Sequence, residues 1–134
     1  MNKLVNLKTL SIQSNRITKI ENMEALTVLD DLYLSHNGIK AIEGLEANKQ
    51  LTTLDMAGNA IESLDNLVQL NMIEEFWFND NNISDWNEIT KIEHMKSLVT
   101  VYFERNPIQK NSDYRRKLKL ALPSLTQIDA TLCR

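Results

Sequence analysis

The chain has little cysteine, glycine or proline: it contains one Cys, three Gly and two Pro among 134 residues. The single Cys133 cannot form an internal disulfide, which favours a reducing compartment and therefore a nuclear or cytoplasmic location. The three glycines, Gly38, Gly44 and Gly58, do not form the Gly-rich loop that binds phosphates. No segment approaches the roughly 18 apolar residues of a membrane span, and the start MNKLVNLKTL lacks the apolar region of a signal peptide.

Groupings of catalytic residues are also missing. The two histidines, His36 and His94, fall in different repeats and on different predicted faces, so a shared metal site is not expected. Cys133 has no neighbouring base that would activate it as a nucleophile. The sequence therefore predicts a protein that is not an enzyme and that binds neither a cofactor nor a metal.

Charge is unevenly distributed along the chain. Residues 1–106 contain 9 Lys and Arg against 16 Asp and Glu, whereas residues 107–134 contain 6 against 2. The long first part is therefore acidic and only the tail is basic. This distribution argues against a nucleic acid as the main partner.

What the chain does have is a repeated phrase. It occurs five times, as LKTLSIQSN, LDDLYLSHN, LTTLDMAGN, IEEFWFNDN and LVTVYFERN. The closing residues Asn15, Asn37, Asn59, Asn81 and Asn106 are separated by 22, 22, 22 and 25 residues. Apolar alternation before each Asn predicts a short strand with one buried face, and the amide can satisfy backbone groups of adjoining coils. This is the pattern of leucine-rich repeats.

The pattern predicts an α/β solenoid, with short parallel strands on the concave face and loops, 3₁₀ turns and short helices on the convex face. We predict repeats over residues 1–106, beginning in mid-repeat without an N-terminal cap, and a helical C-terminal cap over residues 107–134. The longer fourth repeat predicts one or two helical turns within SDWNEITKIEHMKS. The chain is expected to be part of a longer array or to self-associate through its uncapped first repeat.

Residues between the buried strand positions predict the binding surface. The central concave column contains Ser11, Tyr33, Asp55, Trp77 and Tyr102. Exposed aromatic side chains are enriched where partners dock, and nearby carboxylates favour a partner rich in Lys and Arg. The alternative is that Trp77 packs sideways on its neighbours as part of a stable ridge.

The repeats, the phrases YLSHNGI and EFWFNDN, and above all the tail ERNPIQKNSDYRRKLKLALPSLTQIDAT resemble the C-terminal half of the leucine-rich-repeat regulatory subunits of protein phosphatase 1. The resemblance covers essentially the whole chain. It implies that the concave face binds the phosphatase catalytic subunit, and the matching partner-binding positions are Tyr33, Asp55, Glu75, Trp77 and Tyr102. The alternative is a scaffold in another assembly, similar to the spliceosomal U2 A-prime protein or axonemal dynein light chain 1.

Three further features have structural interpretations. Trp86 occupies a core column and is expected to pack. The basic run YRRKLKL is expected to be the solvated side of the cap, although a phosphate or nuclear-targeting patch is the alternative. VYF at residues 101–103 resembles a linear phosphatase-binding motif, but Val101 and Phe103 occupy buried columns and no basic residue directly precedes them.

Overall fold

The computed structural model describes residues 5–133, which form one sheet of seven strands arranged in chain order. Strands β1 to β6 pair in parallel, and β7 runs antiparallel to β6. The strands β1 to β7 are Thr9–Ser11, Asp31–Tyr33, Thr53–Asp55, Glu75–Trp77, Thr100–Tyr102, Gln127–Ile128 and Thr131–Leu132. The solenoid with short parallel strands that the repeats predict is confirmed.

The register of the sheet places equivalent repeat positions beside each other. The middle residues of the first five strands form one inward column, Leu10, Leu32, Leu54, Phe76 and Val101. Phe76 stacks on Phe78 with ring centroids 4.0 Å apart, and both have no exposed surface. Val101 and Phe103 are likewise fully buried, so VYF is not available as a linear motif. One apolar core therefore runs the length of the stack.

The asparagine that closes each phrase ties neighbouring coils together. Asn81 donates from Nδ2 to the carbonyls of Phe78 in its own coil and Met56 in the preceding one, at 3.1 and 3.0 Å. Its Oδ1 accepts from the backbone N–H of Ile61 at 3.0 Å. Asn106 repeats these bonds one coil further on. The predicted structural role of this column is confirmed, because the amide satisfies buried backbone groups that no strand partner reaches.

The convex side of the fourth repeat contains the helical turns that its length predicts. A 3₁₀ helix spans Trp86–Ile92, and its N-cap residue Asp85 accepts from the backbone N–H of Asn87 at 2.9 Å. Ile89 and Ile92 are buried and attach this helix to the core. The three extra residues are thus accommodated outside the sheet, where they do not disturb its register.

The tail folds as a 3₁₀ helix, Pro107–Lys110, followed by α1, Tyr114–Ala121. The helix is shorter than the apolar spacing indicates, since Pro123 excludes helical geometry at the residue before it. Leu122, Leu125 and Ile128 lie beyond the helix but are buried against the same core. Because β6 pairs with β5, the sheet continues across the boundary predicted at residue 107. The division into two units stays a prediction.

Trp86 packs as its repeat position predicts. Its ring meets that of Tyr114 edge-on at 6.2 Å between centroids, which joins the fourth repeat to α1. No helix in the described part of the chain has both the length and the apolar character needed to cross a membrane.

Candidate functional site

The five predicted site residues lie on neighbouring strands of the concave face. The sheet register pairs Tyr33 with Asp55, Asp55 with Trp77, and Trp77 with Tyr102. These four residues occupy the third position of β2 to β5 and therefore point away from the core, opposite to the buried middle positions. Glu75 lies two residues before Trp77 on β4, in the adjoining outward column. The structure thus brings all five together on one surface.

Three aromatic rings form a continuous row, which we term the aromatic ridge: Tyr33, Trp77 and Tyr102. The centroids of Tyr33 and Trp77 are 6.0 Å apart with the planes tilted by 46°. Trp77 and Tyr102 meet edge-on at 6.1 Å and 85°. These are favourable arrangements for aromatic pairs. All three residues are half-buried, so each packs sideways and still presents ring surface to solvent.

Glu75 fixes the direction of the indole. The Nε1–H of Trp77 donates to Glu75 Oε1 at 3.2 Å. This bond satisfies the polar edge of the ring within its own strand. The indole is consequently held before any partner arrives, which lowers the side-chain ordering that binding would require.

Asp55 lies beneath the ridge and differs from the open, partner-facing carboxylate expected from the sequence. Parallel strands are about 4.8 Å apart, so rings on β2 and β4 that are 6.0 Å apart must lean toward each other over β3. The short Asp55 side chain fits below them and is only 5% exposed. Its burial raises its pKa, although the backbone N–H of Ala57 donates to Oδ1 at 3.1 Å and partly offsets that rise.

A pocket of about 260 Å³ opens beside the ridge. Trp77 and Tyr102 form its aromatic wall, Asp55 its floor and Glu104 part of its rim. Its remaining lining residues are Ser35, His36, Ala57 and Asn79. The pocket is therefore built from the outward columns of four consecutive repeats, β2 to β5, and it joins aromatic surface to two carboxylates.

The outer edge of the concave face is a column of left-handed backbone. Its members are Ser14, His36, Gly58, Asp80 and Arg105, with φ values of 56°, 57°, 69°, 61° and 59°. At its far end, Arg105 binds Asp80 through Nε at 2.6 Å and Nη2 at 3.0 Å. The hydrogen bond from Arg105 lowers the pKa of Asp80. This arginine is therefore already paired. It is the only Lys or Arg among the outward-facing positions of β1 to β5 and the left-handed column beside them.

The basic run of the tail is engaged within the chain. Arg115 donates to the carbonyl of Ile128 at 2.8 Å, and Lys119 donates to those of Pro123 and Leu125 at 2.7 and 2.6 Å. Arg116 pairs with Asp113 at 2.8 Å, and Lys117 lies 5.1 Å from the Trp86 ring centroid. These contacts favour the structural interpretation over a phosphate-binding patch.

Among residues 5–133, no three His, Cys, Asp or Glu side chains group in a way that could hold a metal ion. His94 instead contacts the carbonyl of Leu67 at 3.0 Å through Nε2. It therefore has a local structural partner, on a coil different from that of His36.

Sequence reasoning missed Asp129, which completes the last coil. Its Oδ1 accepts from the backbone N–H groups of Phe103 and Glu104 at 2.9 and 3.1 Å, and its Oδ2 accepts from the Tyr114 hydroxyl at 2.9 Å. Asp129 thus accepts bonds from the preceding coil, as the Asn column does elsewhere. The only available signal was its position, 23 residues after Asn106 and close to the repeat period.

Stacked parallel strands, an asparagine ladder and an outward aromatic strand face define a leucine-rich-repeat solenoid. A family model described as Leucine-rich repeat matches residues 1–132. The chain belongs to this family. A solved structure with the same fold is that of the Drosophila melanogaster SNF/U2A′ complex, with a TM-score of 0.83 and 20% identity, covering 100% of this chain and 84% of that chain.

Curated relatives are named as regulatory subunits of protein phosphatase 1, the family that the sequence motifs resemble. Protein phosphatase 1 regulatory subunit 7 of Homo sapiens is 53% identical over 52 residues, which are 39% of this chain and 14% of the relative. Protein phosphatase 1 regulatory subunit SDS22 of Schizosaccharomyces pombe is 46% identical over 69 residues, which are 49% and 21% of the two chains. The resemblance is confirmed over these parts of the chain, which are shorter than the whole-chain similarity expected. The matches span less than a quarter of each relative.

Proposed function

We propose that this chain is a non-enzymatic protein-binding module that holds the catalytic subunit of protein phosphatase 1 against its concave face. The aromatic ridge is the observation that supports the proposal most strongly. Tyr33, Trp77 and Tyr102 form contiguous, half-exposed aromatic surface, of the kind that dominates binding energy at protein interfaces. The relatives named as regulatory subunits of that phosphatase support the choice of partner.

Charge around the ridge supports a basic partner surface. Glu75 and Glu104 are half-buried beside the ring edges, and Asp55 lies under them. Complementary charge of this kind increases the association rate and suppresses wrong partners. A nuclear or cytoplasmic location remains part of the proposal. Self-association through the first repeat, where Leu10, Ile12 and Ile17 are only partly buried, stays a separate prediction.

The test is a binding titration with purified phosphatase catalytic subunit. Trp77→Ala should weaken binding at least about thirtyfold, because truncation of a central aromatic anchor costs about 2 kcal/mol or more. Trp86→Phe is the matched control, since it changes the other tryptophan on the side of the stack away from the ridge, and it should bind like the wild type. Equal affinities for wild type and Trp77→Ala would contradict the proposal, as would the absence of wild-type binding at micromolar concentrations.

The alternative of a scaffold in a ribonucleoprotein or an axonemal motor has no comparable support. The likeness to the SNF/U2A′ complex, at 20% identity, concerns the fold. The phosphatase proposal also makes a specific demand that the alternative does not, namely that binding depends on Trp77.

A further inference from the structure

We infer that the pocket beside the aromatic ridge receives one arginine side chain of the protein partner, with the guanidinium against the Trp77 ring and between the carboxylates of Asp55 and Glu104. For the identity of its partner, this inference rests on the proposed function. The chemistry of the pocket is argued from its own residues.

The floor of the pocket has an acceptor without a strong donor. Asp55 Oδ1 is used by the Ala57 N–H at 3.1 Å. Oδ2 accepts from Gln13 Nε2 at 3.5 Å, which is the limit for a hydrogen bond, and the nearby Ser35 hydroxyl and His36 offset only part of the rise in pKa that burial causes. No Lys or Arg forms an ion pair with Asp55 among the described residues. A carboxylate that is 5% exposed and lacks a cation is unfavourable in isolation, and an entering cation would compensate it.

The walls favour arginine over other cations. Trp77 offers the ring type that binds cations best, and a planar guanidinium can lie on that ring while its N–H groups reach carboxylates at its edges. Glu75 holds the indole Nε1–H at 3.2 Å, and the Trp77 ring, half-buried between Tyr33 and Tyr102, lines the pocket. The nearest chain cation, Arg105, is bound to Asp80 through two nitrogens and also lies 3.4 Å from Glu104 Oε1, so it offsets part of the Glu104 charge but forms no ion pair with Asp55.

The size of the pocket fits a single side chain. Its volume of about 260 Å³ corresponds to roughly nine water molecules at about 30 Å³ each. It is therefore large enough for the end of one long side chain. Binding there would fix the register of the partner on the ridge, which is the specificity that a buried charge pair supplies.

Small amides test the pocket without the phosphatase. The indole N–H resonance of Trp77, identified by its retention in Trp86→Phe, should shift saturably with N-acetyl-arginine amide. It should not shift with N-acetyl-citrulline amide, which has the same shape and no charge. Asp55→Asn should abolish the arginine response. The inference would be overturned if the Trp77 resonance did not shift with the arginine amide. It would also be overturned if the citrulline amide, or the arginine amide added to Asp55→Asn, produced an equal shift.

Thermal unfolding separates a binding role of Asp55 from a structural one. Asn keeps an oxygen for the Ala57 N–H and removes a buried charge, so the unfolding midpoint of Asp55→Asn at pH 7 should equal or exceed that of the wild type. A lower midpoint would show that the carboxylate serves the fold, and would count against the pocket. The matched control is Asp65→Asn, whose carboxylate is exposed and pairs with Lys91.

The phosphatase titration distinguishes the two proposals. Asp55→Asn should weaken binding at least about tenfold, since it removes the charge that the guanidinium would pair with, and Asp65→Asn should not weaken it. If the wild-type chain responds to arginine amide but does not bind phosphatase, the pocket stands and the proposed partner is wrong. If phosphatase binds wild type and Asp55→Asn equally, the pocket inference fails while the proposed function stands.

Discussion

At the scale of single residues, two side-chain types serve different purposes in each repeat. Asparagine closes each coil and bonds to the backbone, whereas the aromatic residues of the ridge, four positions earlier, make few polar bonds and stay half-exposed. Trp77 donates one bond to Glu75, and the Tyr102 hydroxyl accepts one from Gln127. We therefore expect substitutions in the Asn column to change stability, and substitutions in the aromatic ridge to change the partner binding that we propose.

The Asn column gives a matched pair of substitutions. Asn81→Ala should lower the free energy of unfolding by about 2 kcal/mol, because it leaves the buried Ile61 N–H unpaired and removes one of the two asparagine donors to each of the Met56 and Phe78 carbonyls. Asn15→Ala should cost less than about 1 kcal/mol, since Asn15 is exposed and its side chain donates, within residues 5–133, only to the Gln13 carbonyl.

Urea denaturation of both variants measures the difference. Similar losses of unfolding free energy in the two variants would contradict this prediction, because they would show that the contribution of a column asparagine does not depend on its burial.

At the scale of elements, the C-terminal segment closes the stack through a side-chain bond. The hydroxyl of Tyr114 on α1 donates to Asp129, whose other oxygen holds the N–H groups of Phe103 and Glu104. Burial of Tyr114, and the neighbouring charge of Asp129, raise the pKa of this phenol well above its ordinary value of 10.0. The last coil thus depends on a neutral phenol.

The raised pKa predicts a specific alkaline behaviour. Above pH 10 the unfolded chain releases the Tyr114 proton and the folded chain retains it, so the folded state binds more protons and its stability falls as pH rises. Tyr114→Phe should remove most of this slope and should cost about 1–2 kcal/mol at pH 7 through the lost hydrogen bond.

Unfolding midpoints in urea between pH 8 and about 11 test this prediction. Tyr33→Phe is the comparison: burial also raises the pKa of Tyr33, but its ring is only half-buried on the concave face, so its removal should reduce the slope less than Tyr114→Phe. An unchanged alkaline slope in Tyr114→Phe would contradict the role given to the phenol.

Sequence periodicity predicts the strands and the Asn ladder because both repeat at a fixed spacing. It also predicts which residues face outward, since alternation fixes the face. It does not predict that Asp55 is covered, because that depends on rings from two other strands leaning over it. It also does not predict the role of Asp129 or the early end of α1, because the repeated phrase does not occur after residue 106.

At the scale of the whole molecule, the stack is a rigid support for one surface. The core is continuous from Ile20 to Ile128, and strands β2 to β5, which carry the aromatic ridge and the pocket, each pair with a strand on both sides. A preorganised surface of this kind loses little conformational entropy on binding. The chain is therefore suited to holding a folded partner.

Site-specific photo-cross-linking to the phosphatase catalytic subunit tests the central claim most directly. A benzophenone amino acid in place of Tyr102, at the end of the aromatic ridge, should capture the catalytic subunit. The same probe in place of Val68, an exposed apolar residue outside the concave columns, should not. Capture from position 68 in preference to position 102 would contradict the claim that the concave face is the binding surface.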